Sequence, residues 1–112
     1  MLQITMRIPP TQGSPDKPAL TMQGHAAFAP AGQDIVCAAA SMLAYTAAER
    51  LRELADEGAV QALACRMEPG DLRIAFCQPM PDGRVEALFD TLAPGFRLLA
   101  ARYPAHVCFS EK

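Results

Sequence analysis

Cys37 stands three residues after Asp34, at the head of the apolar run Ile35-Val36-Cys37-Ala38-Ala39-Ala40-Ser41. With Asp34 as N-cap, Cys37 is the third residue of a helix, beside its unpaired N–H groups and the positive end of its dipole. That place favours thiolate over thiol. A capping box puts Glu or Gln here to bond back to the cap, and a cysteine gives that bond up. His25 lies twelve residues earlier, at the end of a predicted strand. A β-loop-α connection can bring the two together, and an imidazole beside such a thiol makes a nucleophile for acyl transfer. Ser41, one turn on, shares the face of Cys37. The plainer alternative is a packed core cysteine and a histidine at a strand end.

The elements that must position these residues are read from periodicity. Leu2, Ile4, Met6 and Ile8 alternate with Gln3, Thr5 and Arg7, the pattern of a half-buried strand, and Pro9-Pro10 ends it. A loop to Pro18 and a second strand over 19–23 follow. From Asp34 the period becomes helical. Ile35, Ala39, Met42, Leu43, Ala47, Leu51 and Leu54 mark a helix over 35–57, closed by Gly58. Leu63, Cys65 and Met67, then Leu72, Ile74 and Phe76, form a hairpin. Pairing Met67 with Leu72 puts both apolar sets on one face and sets Arg66 opposite Arg73. Pro69-Gly70 favours a type II turn, which suits a tight two-residue hairpin poorly, so a bulge or longer loop is expected. A second helix after Pro81-Asp82-Gly83 carries Val85, Leu88, Phe89, Leu92, Phe96, Leu99 and Tyr103 on its buried stripe. Pro94-Gly95 interrupts it, and because the stripe keeps its phase a kink is expected rather than a restart. A closing strand over 106–110 completes a β-β-α-β-β-α-β order. The fold class is α+β: one domain over 1–112, in two layers, a mainly antiparallel sheet with two helices packed on it.

Composition narrows the function. A chain of 112 residues has room for one core, and 21 alanines with no Trp make that core thin. A net charge of −2 gives no basic surface for nucleic acid or membrane. No apolar run approaches the roughly 20 residues of a membrane span. The start of the chain lacks the pattern of a secretory leader, so a cytoplasmic location is expected. Cys37, Cys65, Cys77 and Cys108 form no CxxC, and His25 and His106 are far apart. Neither a metal site nor a cofactor is expected. Cys65, Cys77 and Cys108 read as strand packing residues, and His106 as a polar-face strand residue.

Gly24-His25-Ala26, Gly32 and Asp34-Ile35-Val36-Cys37-Ala38-Ala39-Ala40-Ser41, at this spacing, resemble the signature of the Prp family of bacterial ribosomal-processing cysteine proteases. The rest of the chain resembles that family in length and element order only. The resemblance implies a small homodimeric α+β endopeptidase. Its substrate would be the precursor of large-subunit ribosomal protein twenty-seven, whose N-terminal extension it would remove after a bulky aromatic residue and before a small one. It makes Cys37 the nucleophile and His25 the general base. Gly24, Gly32, Asp34 and Ser41 match the pattern as supporting residues; the roles of Asp34, helix cap, and of Ser41, support for the thiolate or the helix start, are read from their positions on the helix. An aromatic side chain before the cut needs an apolar pocket, for which Phe28 and Met42 are the candidates. The apolar loop 26–33, with few polar groups to pin it, reads as a lid. The competing reading is a non-catalytic, ribosome-associated binding module on the same fold.

Overall fold

In a computed structural model, which describes residues 1–7 and 17–112, β1 (Leu2–Met6) and β2 (Lys17–Gln23) are antiparallel neighbours, with Ile4 opposite Met22. Ile8 to Asp16, including the expected end of the first strand, lie outside the described residues. After α1 (Ile35–Asp56) come β3 (Gln61–Glu68) and β4 (Asp71–Cys77), then α2 (Gly83–Arg102) and β5 (Val107–Glu111). The sheet order is β3-β4-β2-β1-β5. Every pairing is antiparallel except β1 with β5, because the α2 crossover returns the chain in the direction of β1.

One face of the sheet is apolar, as the alternation requires. Leu2, Ile4, Leu20, Met22, Leu72, Ile74, Phe76 and Val107 are all buried there beneath the two helices. α1 packs against β3, α2 against β5, and the helices against each other. α2 keeps the predicted stripe, with Val85, Phe89, Leu92, Phe96 and Leu99 buried and Leu88 and Tyr103 packed at its margin.

α1 departs from the expected stripe in its first half. Val36, Ala40 and Ala44 are buried there, whereas Ile35 (60%) and Met42 (64%) are exposed. Where almost every residue is apolar, periodicity carries no phase, and the face that is buried, Val36, Ala40 and Ala44, is one whose short side chains let the helix approach the sheet. The second half, where charges mark the solvent side, follows the expected phase at Ala47, Leu51 and Leu54.

The hairpin has the expected register, with Met67 opposite Leu72 and Arg66 opposite Arg73. Asp71 separates the two arginines, accepting from Arg66 Nε at 3.1 Å and from Arg73 Nε at 3.0 Å. The connection is tighter than expected: Glu68 pairs with Asp71, and only Pro69 and Gly70 lie between. Gly70 takes φ +74°, near what a type II turn needs at its third residue. The irregularity falls at the other end of the hairpin, between Gln61 and Ala64.

α2 runs through Pro94 without a restart. Its neighbour Gly95 meets α1, and a Cβ there would lie 3.0 Å from both methyl carbons of Leu43. The small residue lets the helices approach. The proline has no such use: it is exposed, and its missing N–H leaves the Asp90 carbonyl without its helical partner. Pro94→Ala is therefore expected to stabilise the fold by roughly 1–2 kcal/mol, the regained helix bond and propensity outweighing the added freedom of the unfolded chain. Urea unfolding of the two proteins measures this, and an unchanged midpoint would contradict it.

Candidate active site

β2 ends where Gly24 turns the chain out of the sheet with φ +86°. No other residue fits, because a Cβ at this position would sit 2.6 Å from the Met1 carbonyl oxygen. The Gly24 N–H donates to the Gly70 carbonyl at 3.0 Å, tying this bend to the β3–β4 turn. His25 follows at once and is exposed, its Nε2 2.8 Å from where a Gly70 Cβ would be. A side chain at position 70 would displace the imidazole.

The loop from Ala26 to Gln33 is held to the start of α1 by one carboxylate. Asp34 Oδ1 accepts from the N–H groups of Val36 (2.9 Å) and Cys37 (3.0 Å), the expected N-cap. Oδ2 accepts from the loop N–H groups of Phe28 (3.0 Å) and Ala29 (3.3 Å). The loop thus has the polar anchor that its own side chains could not supply. The N–H of Cys37 is the chief cause that holds the Asp34 carboxyl below its ordinary value of 3.8. Partial burial opposes it, and the N–H groups of Ala29, Phe28 and Val36 add to it.

Cys37 is half-buried in the first turn of α1, and the Ala26 N–H donates to its sulfur at 3.4 Å. Cys37 and His25 line one cavity of about 580 Å³, together with Gly24, Gly32, Asp34 and Ser41. Among the described residues no hydrogen bond joins His25, or Ser41, to the Cys37 sulfur. Free enzymes often hold such pairs apart until substrate binds. Val36 and Cys37 already give their N–H groups to Asp34, so Ala26 supplies the backbone donor at the sulfur.

The apolar wall of the cavity differs from the one expected. Phe28 and Met42 do not line it. Phe28 stacks edge-on against Tyr103 and His106, at ring distances of 5.3 and 5.4 Å, and Met42 faces outward. Leu2, Met22, Met67 and Leu72 from the sheet and Tyr45 from α1 take their place, with the hairpin turn Glu68–Asp71 as a rim. These come from distant parts of the chain, and no local motif marks them.

The remaining cysteines lie elsewhere. Burial pushes the Cys65 thiol up, with Arg52 opposing and Glu49 adding. Cys108 is exposed rather than packed. His106 precedes β5 instead of opening it, and its ring reaches back to the loop. Among the described residues there is no cluster able to hold a metal ion, and no helix is long and apolar enough to cross a membrane.

A family model described as cysteine protease Prp matches residues 4–108. Among solved structures, an essential ribosomal processing protease Prp from S. aureus, bound to a covalently linked product peptide, is 18% identical, with a TM-score of 0.71 and full coverage of both chains. The same protease with a substrate peptide gives 15% identity, a TM-score of 0.65 and full coverage of both chains. SMU.848 from Streptococcus mutans is 25% identical, with a TM-score of 0.60, covering 98% of this chain and 90% of the other. No curated protein matches.

The Asp34 geometry predicts a pH-dependent stability. A carboxyl depressed in the folded state adds stability that is full above the ordinary carboxylate range, roughly pH 4, and is lost as pH falls through the folded value. Asp34→Ala should lower Tm by roughly 5 °C at pH 7, through loss of the cap. The gap should close on acidification. Circular dichroism melts from pH 7 to 3 check this, and a gap that does not vary with pH would count against the anchor.

Proposed function

The chain belongs to the Prp family of cysteine proteases, and from that premise we propose that it removes the N-terminal extension of the precursor of large-subunit ribosomal protein twenty-seven, with Cys37 as nucleophile and His25 as general base. The observation that carries this reading is the meeting of a helix-N-terminal thiol and an exposed imidazole on one cavity with an apolar floor. The S. aureus Prp whose fold this chain shares holds a covalently linked product peptide, which supports a peptide substrate here.

The chemistry is acyl transfer. The Cys37 thiolate attacks the scissile carbonyl carbon, and the carbonyl π electrons move to oxygen. The Ala26 N–H, already directed at the sulfur, is a backbone donor for that oxyanion in this reading. Collapse of the tetrahedral intermediate expels the amine, which takes its proton from the His25 imidazolium. Water, deprotonated by His25, then releases the acyl group and restores the thiolate. A bulky aromatic side chain before the cut enters the space between Leu2, Met22, Met67, Leu72 and Tyr45. The small side chains of Ala27, Ala29 and Ala38 leave room for the substrate backbone.

The protein works in the cytoplasm as a homodimer in this reading. The exposed strip of Ile35, Ala39 and Met42 on α1 supports a second copy, since an apolar stripe on a small domain favours association.

Cys37→Ala is expected to abolish cleavage of a precursor-derived peptide, and His25→Ala to lower kcat at least about 100-fold, both with unchanged folding. Brief iodoacetamide treatment at pH 6.5 should label Cys37 before Cys65. Turnover by purified Cys37→Ala protein would sink the assignment. For assembly, Ile35→Glu combined with Met42→Glu should convert a dimer to a monomer by light scattering. A wild-type monomer with full activity would remove the dimer.

A further inference from the structure

The backbone of Ala26 carries two polar groups, in the peptide units on either side of its Cα, and they meet different partners. Its N–H donates to the sulfur, and its carbonyl lies 2.8 Å from Nδ1 of His106, eighty residues away. Ala26 is itself buried. The next residue, Ala27, sits at φ +54°, a left-handed conformation that is strained for a non-glycine residue. Such a conformation persists only when its surroundings hold it. Here it is held on both sides, by His106 at the Ala26 carbonyl and by Asp34 at the Phe28 N–H.

His106 is well fixed for this task. Its carbonyl accepts from the Leu2 N–H at 2.8 Å, and its own N–H donates to the Tyr103 carbonyl at 2.9 Å. The Phe28 ring lies edge-on to its imidazole. A carbonyl can only accept, so Nδ1 must carry the hydrogen. Both the neutral Nδ1–H tautomer and the imidazolium donate from that atom, so protonation does not break the bond.

We infer that His106 is a positioning residue of the active site: its Nδ1–H clamps the Ala26 carbonyl and so aims the Ala26 N–H at the Cys37 sulfur and at the oxyanion that forms beside it. The inference rests on the proposed role of Cys37. His106 does not line the cavity and acts through the backbone of Ala26 alone.

The test compares two amides of different reach. In His106→Asn the amide nitrogen falls where Nδ1 was and keeps the bond. In His106→Gln it falls further out and loses it. Both variants lose the ring contact with Phe28, so their difference reports the hydrogen bond. The readouts are kcat and KM on a precursor-derived peptide and the iodoacetamide rate at Cys37. His106→Gln should lower kcat and the labelling rate about 5- to 10-fold with KM within twofold, the scale of one lost hydrogen bond. His106→Asn should stay within about threefold of wild type. Equal loss in both variants, or none in His106→Gln, overturns the clamp. A measurement on the wild-type protein stands apart from any folding defect: ¹⁵N shifts of the neutral His106 ring should show the proton on Nδ1, and a proton on Nε2 overturns the clamp as well. If the wild-type protein cleaves no peptide, the protease reading fails by itself, while the labelling rates and the tautomer still decide the role of His106.

Discussion

One carboxylate takes four backbone N–H groups, and the site depends on it. The start of a helix leaves N–H groups without partners, and so does an irregular loop. Asp34 answers both needs by giving one oxygen to Val36 and Cys37 and the other to Phe28 and Ala29. The loop is thereby folded back onto the helix that carries the cysteine. On the Phe28 side this attachment holds the left-handed turn at Ala27, and the loop so folded brings the Ala26 N–H to the Cys37 sulfur. The same contacts depress the Asp34 carboxyl, so its charge and the shape of the site are linked.

The cavity is an unfilled margin of the hydrophobic core. Leu2, Met22 and Leu72 are buried core residues that also line the cavity. α1 crosses above them with Cys37, Ala38 and Ser41, side chains too small to fill the space. Further along, larger residues such as Leu51 and Leu54, both fully buried, close the gap. The alanine-rich first half of α1 thus serves two ends. Ala40 and Ala44 bring the helix close to the sheet, and Ala38 keeps an opening beside the thiol.

Much of this was legible from residue type and spacing. Strict alternation set β1 and the hairpin register, because a one-residue slip would turn every apolar side chain to solvent. Asp34 could be read as a cap because an Asp before an apolar helical run has little else to do. That His25 and Cys37 come to one cavity was legible as a strand end and a helix start joined by a short loop. The apolar wall was not. Phe28 and Met42 were the nearest large side chains in sequence, but the loop path sends Phe28 toward Tyr103, and the phase of α1 sends Met42 outward.

By itself, then, the sequence determined what depends on neighbours along the chain: the element order, the helix cap, the period of each strand, and the strand end and helix start that bring His25 and Cys37 to one cavity. Only the tertiary structure decided what depends on chain segments meeting. The sheet order brings Leu2, Met22 and Leu72 beneath one cavity, the hairpin turn sets Gly70 beside His25, and the α2 crossover delivers His106 to the Ala26 carbonyl. The phase of α1 belongs with these. A run of alanines is apolar on every side, so which side is buried is chosen by the shape of the surface it meets and not by the pattern of the run.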